Sequence, residues 1–178
     1  MTVWVALLRA VNVGGVNRLP MEAFRDALAG IGLEGVRTYI QSGNAVLRSE
    51  RAAPVLAGQI ADAVLAGFGF RPPVLILSRS ELLAARAACP FGGEAGDKVH
   101  FFFMEKELPR AGGDFLQALA TRSERYGWRG KVVWLHLPEG LARSKLARRV
   151  MDLPIDVTAR NMKSVDALLA LAAKLEAA

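Results

Sequence analysis

The order of strand-like and helix-like segments constrains the fold of this chain more than any other feature of its sequence. The first 79 residues alternate between short apolar runs and longer runs with helical spacing. The segments are 3–8 (strand), 20–31 (helix), 36–41 (strand), 44–49 (strand), 54–68 (helix) and 73–78 (strand). Met21, Phe24 and Leu28 recur on one helical face, and Pro54 suits the first turn of a helix. This βαββαβ order is typical of a ferredoxin-like unit, in which two helices cover a four-stranded antiparallel sheet.

The second half of the chain repeats this order. Strands are predicted at 99–104, 124–128, 131–137 and 155–159, and helices at 114–120 and 141–151. The stretch 39–46 also aligns with 126–133 at a shift of 87 residues, with tyrosine, glycine and valine coinciding. The shared element order and this local similarity indicate an internal duplication. Hairpin turns are predicted at Ser42–Gly43 and at Arg129–Gly130.

The predicted fold class is therefore α+β: a tandem duplication of ferredoxin-like βαββαβ units with antiparallel sheets, plus a C-terminal helix. The predicted boundaries are 1–79 for the first subdomain, 80–97 for a connecting helix and linker, 98–160 for the second subdomain and 161–178 for the C-terminal helix. Ser80 is the expected N-cap of the connecting helix, and Asn161 that of the C-terminal helix. Three glycines between residues 91 and 97 indicate the linker.

Composition excludes several classes of protein. Hydrophobic residues make up 52% of the chain and charged residues 22%, which are globular values. No segment approaches the roughly 20 apolar residues that a membrane span needs, and the first residues do not resemble a signal peptide. The single cysteine, Cys89, precludes an internal disulfide and fits a reducing compartment. We therefore expect a cytoplasmic protein with no membrane association.

Positive charge is concentrated in one part of the chain. The net charge is +6, and residues 121–149 contain eight basic side chains and two glutamates. The basic residues are Arg122, Arg125, Arg129, Lys131, Arg143, Lys145, Arg148 and Arg149. Such a cluster could bind RNA, DNA or another polyanion. Alternatively, it is only a solvated surface of an arginine-rich protein.

The connection between the first strand and the first helix contains candidate ligand-binding residues. It contains about twelve residues, whereas such loops usually contain about two to six. Its polar and glycine residues include Arg9, Asn12, Gly14, Gly15 and Asn17. Backbone N–H groups of a Gly-Gly turn before a helix can surround an anion, and an arginine adds a planar set of donors. Alternatively, the asparagines and glycines only stabilise turns, and Glu22 in the first helical turn opposes an anion.

Two further polar segments are candidate partners of this loop. Ser42, Gly43 and Asn44 form the first predicted hairpin, where glycine and asparagine are more simply explained as turn residues. Arg160 precedes a helix N-terminus, where positive charge is unfavourable, and Lys145 stands in the same situation after Ser144. A role in helix capping therefore does not explain either basic residue, whereas Asn161 is most simply an N-cap.

Other chemistries lack the residues that they need. His100 and His136 lie in predicted strands without ligands at a suitable spacing, so neither a metal site nor a cofactor is expected. No base accompanies Cys89, and no spaced pair of carboxylates suggests general acid–base catalysis. Phe101 and Phe103 alternate along one strand, as Trp134 and His136 do along another. These side chains could stack on nucleic-acid bases or, alternatively, fill the core.

Four motifs together resemble a bacterial family called domain of unknown function 1697. They are the run from Arg9 to Met21, the turn from Thr38 to Asn44, Ser144-Lys-Leu146, and Thr158-Ala-Arg-Asn-Met162. The resemblance covers essentially the whole chain and implies two ferredoxin-like subdomains, but it implies no activity. Ala10 and Met162 depart from the glycine and tryptophan that family members usually have at these positions.

The motif residues come from three regions far apart in sequence, and all are polar or glycine. This suits one shared site better than three separate turns. The leading hypothesis is a small anionic ligand, such as a nucleotide or phosphorylated metabolite, bound in a cleft between the subdomains. The alternatives are an RNA- or DNA-binding module that uses the basic cluster, and a protein-interaction domain without a small ligand. The sequence assigns neither a reaction nor an oligomeric state.

Overall fold

The computed structural model of the protein describes residues 1–108 and 112–178. The strands are β1 (Thr2–Leu8), β2 (Glu34–Thr38), β3 (Asn44–Ser49), β4 (Val74–Ser78), β5 (Val99–Met104), β6 (Arg125–Arg129), β7 (Val132–His136) and β8 (Val157–Asn161). The α-helices are α1 (Met21–Gly30), α2 (Ala53–Phe68), α3 (Arg79–Ala87), α4 (Gly112–Leu119), α5 (Lys145–Met151) and α6 (Met162–Glu176). The chain divides into two compact units, residues 1–83 with 167–178 and residues 84–166.

The first unit contains an antiparallel sheet with the strand order β2-β3-β1-β4. Alternate residues of β1, including Ala6 and Leu8, face the helices because strand side chains alternate between the two faces of a sheet. Phe24 of α1 and Ile60 of α2 are fully buried in the same core. Each such aromatic or aliphatic side chain contributes about 1.5–3 kcal/mol by leaving water. On β3, Arg48 donates from Nη2 to the carbonyl oxygen of Leu175 at 2.6 Å, which attaches the end of α6.

The second unit has the equivalent strand order, β6-β7-β5-β8. Phe102 and Met104 of β5 pack in a core with Leu116 of α4 and with Leu146 and Val150 of α5. The predicted fold class, with two four-stranded antiparallel sheets of βαββαβ order and a C-terminal helix, is confirmed. The matching strand orders are consistent with a two-unit repeat. No helix in the described ranges combines the length and the apolar character that a membrane crossing requires.

The two predicted hairpin turns differ from those in the structure. β2 ends at Thr38 and β3 begins at Asn44, so a five-residue connection replaces the predicted two-residue turn at Ser42–Gly43. Within this connection the chain changes direction through positive φ angles at Ile40 (47°) and again at Gly43 (74°). In the second unit, pairing of Arg129 with Val132 moves the predicted turn from Arg129–Gly130 to 130–131.

The helix caps were predicted correctly in one case and wrongly in another. The Asn161 side chain caps α6 as predicted, since its Oδ1 accepts a hydrogen bond from Ser164 N at 2.9 Å. The cap of α3 is Ser78 rather than Ser80: Ser78 Oγ accepts from Glu81 N at 3.1 Å, and Ser78 N donates to Glu81 Oε2 at 2.7 Å. This reciprocal pair is a capping box, in which the serine at the strand end also starts the helix.

Candidate functional site

Two loops of the first unit meet at one end of its sheet. Because β1 is antiparallel to β3 and β4, and β2 is antiparallel to β3, the end of β1 lies beside the start of β3. Leu7 pairs with Asn44, and Leu8 N donates to Gly43 O at 2.8 Å. We call residues 9–20 and 39–44 the loop cluster. The predicted site residues Arg9, Asn12, Gly14, Gly15, Asn17, Ser42, Gly43 and Asn44 all lie in it.

Asn12 connects the two loops. Its Nδ2 donates to Leu19 O at 2.9 Å and to Gln41 O at 2.7 Å, while its Oδ1 accepts from Leu19 N at 2.7 Å. Asn17 holds the opposite side of the first loop, because its Nδ2 donates to Ala10 O at 2.9 Å. These two side chains therefore act as structural braces of the loop cluster.

The buried Asn44 braces the second loop. Its Nδ2 donates to Tyr39 O at 3.0 Å and lies 2.8 Å from Ser42 Oγ. Gly43 is buried as well, and a Cβ atom there would overlap Val11 Cγ2 and lie 2.9 Å from Leu8 Cβ. The second loop can therefore approach the end of β1 only because residue 43 is glycine.

Gly14 and Gly15 form the tip of a small hairpin inside the first loop. Val13 and Val16 pair in an antiparallel bridge, and Val16 N donates to Val13 O at 3.1 Å. The glycine φ angles of 59° and 78° are those of a type I′ turn. The tip precedes α1 by five residues, so its N–H groups do not continue into the helix N-terminus as the sequence suggested. The hairpin instead presents two exposed valines.

Backbone strain is concentrated in the loop cluster. Among the described residues, four non-glycine residues have positive φ: Ala10 (57°), Asn12 (54°), Asn17 (51°) and Ile40 (47°). Asparagine tolerates this conformation, alanine less well, and a β-branched residue such as Ile40 is an outlier. At Ala10 and Ile40 this conformation costs on the order of 1–3 kcal/mol each and persists only where the surroundings impose it.

Two arginines belong to the first loop. Arg9 is half-buried where β1 ends, and its backbone N–H donates to Pro73 O at 3.0 Å. Arg18 is exposed, and no carboxylate in the described ranges forms an ion pair with it. Glu22 is also exposed and reduces the positive potential near the start of α1.

In the second unit, Arg160 is buried on β8. Its Nη1 donates to Thr158 Oγ1 at 2.8 Å and to Ala159 O at 2.7 Å. Burial disfavours the charged form and lowers the pKa of Arg160 to about 10, so the guanidinium is still charged at neutral pH. Its cross-strand neighbour is Phe101, and this face of the sheet is opposite to the core that contains Phe102.

Lys145 and Asn161 complete the predicted set of site residues. Lys145 is exposed at the start of α5, where Ser144 Oγ accepts from Ala147 N at 3.0 Å. Because α5 covers the core face of the sheet, Lys145 and Arg160 lie on opposite faces within the second unit. Asn161 directs its Oδ1 to the cap of α6.

The aromatic side chains that could have stacked on bases are buried. Phe101, Phe103 and Trp134 are 0%, 1% and 3% exposed, so the base-stacking interpretation is wrong for them. All eight basic residues of 121–149 are exposed. Exposure is required both of a solvated surface and of a site for a polyanion, so it does not distinguish the two interpretations. Lys145, Arg148 and Arg149 share one face of α5, at spacings of three and four residues.

One cluster in the second unit had no signal in the sequence. Arg125 donates to Glu94 Oε1, its Nε lies 3.3 Å from His136 Nδ1, and its Cζ is 5.1 Å from the centre of the Phe91 ring. The segment interpreted as a linker is thus held against β6 and β7. The hydrogen bond and charge of Arg125 lower the pKa of the Glu94 carboxyl.

The pH dependence of folding is expected to depend on His100. Burial lowers the pKa of His100 below 6.5, although a hydrogen bond with the Lys98 backbone opposes this. Between pH 6.5 and the lowered folded-state pKa, the unfolded chain binds a proton that the folded chain does not, so stability falls as pH falls. One proton corresponds to a slope of up to about 1.4 kcal/mol per pH unit.

Urea unfolding at pH 5.0–7.5 measures this slope, and His100→Gln should reduce it. The carboxyls of Glu94 and Asp97, whose pKa values are lowered from 4.5 and 3.8, lose their stabilising effect only below this window. Equal slopes in the two proteins would contradict the assignment to His100.

Comparison with other proteins places the chain among uncharacterised proteins. Residues 1–134 match the family described as "Protein of unknown function (DUF1697)". No curated protein is significantly similar in sequence. The solved structure of the conserved bacterial protein SP0830 from Streptococcus pneumoniae is similar, with a TM-score of 0.76 and 24% identity over 96% of this chain and 98% of that chain. At this identity the likeness shows the fold alone.

Proposed function

Because the chain belongs to the DUF1697 family, which has no described activity, we propose a function from the geometry of the loop cluster: it binds a small anionic molecule, such as a nucleotide or phosphorylated metabolite. The observation that carries this proposal is the concentration of left-handed, non-glycine residues in two loops that Asn12 connects. Strained residues of this kind are often found at ligand sites, where binding requires a fixed backbone geometry although that geometry lowers stability.

The braced loops favour binding because they are already ordered. Immobilising a flexible loop opposes association, whereas a loop held by Asn12, Asn17 and Asn44 has lost most of that freedom before the ligand arrives. The exposed glycine tip also leaves space for a ligand, since a Cβ at Gly15 would have no heavy atom within 4 Å.

The charge of the first loop supports an anion rather than a cation. Arg9 and Arg18 each offer a planar group of donors that matches phosphate or carboxylate oxygens. Arg9 is half-buried, and an interaction there is screened less by water than one at a fully exposed side chain. If a reaction occurs at this site, these residues suit positioning and electrostatic stabilisation. Contact of the same ligand with Lys145, Arg160 and Asn161 stays a prediction, as does the cytoplasmic location.

Thermal-shift and calorimetric titrations with inorganic phosphate, pyrophosphate and nucleotides test this proposal. A ligand at about 100 times its dissociation constant should add roughly 2.7 kcal/mol of stability. Arg18→Gln should weaken binding about tenfold, equivalent to about 1.4 kcal/mol. Arg148→Gln is the matched control, because it removes an exposed arginine from the second unit. Absence of any anion binding, or equal losses in both variants, would reject the site.

Nucleic acid is the second candidate, and the cationic face of α5 favours it. Lys145, Arg148 and Arg149 present three charges within two helical turns. The affinity for an oligonucleotide would fall steeply with salt. On duplex DNA, the logarithm of the binding constant falls by about 0.9 per neutralised phosphate for each tenfold rise in salt concentration. Binding of an oligonucleotide that Arg148→Gln weakens and Arg18→Gln leaves unchanged would support this candidate. No binding of either ligand class would leave the third alternative, a protein-interaction domain.

A further inference from the structure

We propose that the anionic ligand carries an apolar group, and that this group packs on Val13, Val16 and Ile40. The inference rests on the proposed function and specifies the class of ligand: an alkyl or aryl phosphate or a similar amphiphilic anion. We call the three side chains the aliphatic patch. They are 64%, 65% and 50% exposed, respectively.

The aliphatic patch is a local concentration of apolar side chains. Val13 and Val16 are bridge partners, so their Cα atoms are about 5 Å apart. Ile40 precedes Gln41, whose carbonyl accepts the hydrogen bond from Asn12, the residue before Val13. Exposed aliphatic residues are common singly, whereas here three belong to two loops that a hydrogen bond joins.

Folding does not explain the isoleucine at position 40. Its φ of 47° is unfavourable for a β-branched residue, and half of its surface is in water. Asparagine or glycine would tolerate the same backbone and would expose less apolar surface. A residue that is unfavourable on both counts is expected where it contacts something outside the folded chain.

Charge identifies the kind of molecule that would cover the patch. Arg18 follows Val16 by two residues and is exposed, and Arg9 begins the same loop. An apolar surface on the same loop as an exposed guanidinium group matches a ligand with an anionic head and an apolar body. A neutral apolar molecule would make no ion pair with the exposed Arg18, and a small inorganic anion would leave the patch in water.

Calorimetric titrations with inorganic phosphate, hexyl phosphate and hexanol test this inference. Each methylene group that is completely buried strengthens binding about fourfold, and one that packs on a partly exposed patch strengthens it about twofold. Hexyl phosphate should therefore bind at least tenfold more tightly than inorganic phosphate. Val13→Ser and Val16→Ser should remove most of that gain and leave phosphate binding unchanged. Val55→Ser is the matched control, because Val55 lies on α2 and is 53% exposed.

Ile40→Asn provides a second variant that is expected to fold at least as well. Its melting temperature should rise by about 2 °C or more, while its affinity for hexyl phosphate falls. A higher melting temperature together with a lower affinity indicates that the Ile40 side chain contacts the ligand, whereas a structural role would lower the melting temperature.

The outcomes separate the two proposals. If phosphate and hexyl phosphate bind equally well, the apolar group is rejected and the anion site remains. If neither binds, the apolar group is rejected, and the anion site is rejected as well when pyrophosphate and nucleotides also fail to bind. If hexanol binds as tightly as hexyl phosphate, the charge contributes nothing and the amphiphilic ligand is rejected. Binding to vesicles of anionic phospholipid without binding of soluble hexyl phosphate would overturn the inference in favour of a membrane surface.

Discussion

Replacing Gly43 by alanine is expected to lower the free energy of unfolding by about 3 kcal/mol. An alanine at a φ of 74° costs about 1–2 kcal/mol, and forcing an extra methyl group into a packed site costs about 1–3 kcal/mol. The new Cβ would overlap Val11 Cγ2, which a side-chain rotation could relieve. It would also lie 2.9 Å from Leu8 Cβ, and that atom is fixed by the central strand.

Gly15→Ala separates the two contributions. Gly15 has a similar φ of 78°, but a Cβ there would meet nothing within 4 Å. Chemical denaturation should therefore show a loss of only about 1–2 kcal/mol for this variant, which is the backbone part alone. Equal losses in the two variants would show that Val11 and Leu8 do not restrict residue 43.

The fold could be predicted because periodicity reports burial. Phe24 and Leu28 recur at helical spacing because they face the sheet, and the same reasoning applies to Leu56 and Ile60 of α2. The two-residue hairpin at Ser42–Gly43 was wrong because its length depends on where β2 leaves the sheet. β2 ends at Thr38, and Ile40 then adopts a left-handed conformation that isoleucine does not signal.

The site was only partly predictable, for a related reason. Asparagine can bind a ligand or brace a turn, and only the positions of its partners decide between these roles. The partner of Asn12 in the second loop, Gln41, is 29 residues away in sequence. The Val-Gly-Gly-Val hairpin was the one signal that could have been used, because two glycines between β-branched residues are typical of a tight turn. It would have indicated the exposed valines.

Replacing Asn12 by aspartate is expected to destabilise the protein by about 3 kcal/mol at neutral pH. The two Nδ2 hydrogen bonds, to Leu19 O and Gln41 O, would be replaced by carboxylate oxygen facing carbonyl oxygen at 2.9 and 2.7 Å. The bond to Leu19 O is partly buried, and the bond to Gln41 O is exposed. Losing the donor to the partly buried acceptor costs about 1–3 kcal/mol, and repulsion between the oxygens adds to this. The side chain keeps its size and its tolerance of positive φ, so the change is confined to hydrogen bonding.

Asn17→Asp is the matched control, because Asn17 has nearly the same φ but makes a single, exposed hydrogen bond to Ala10 O. Its loss should be about 1 kcal/mol. The deficit of Asn12→Asp should also shrink as pH falls, since protonation restores a donor and the folded state then binds the proton more tightly than the unfolded state. Urea unfolding at pH 7 and pH 4 measures both effects. If the deficit is equal for the two variants and independent of pH, Asn12 does not connect the loops.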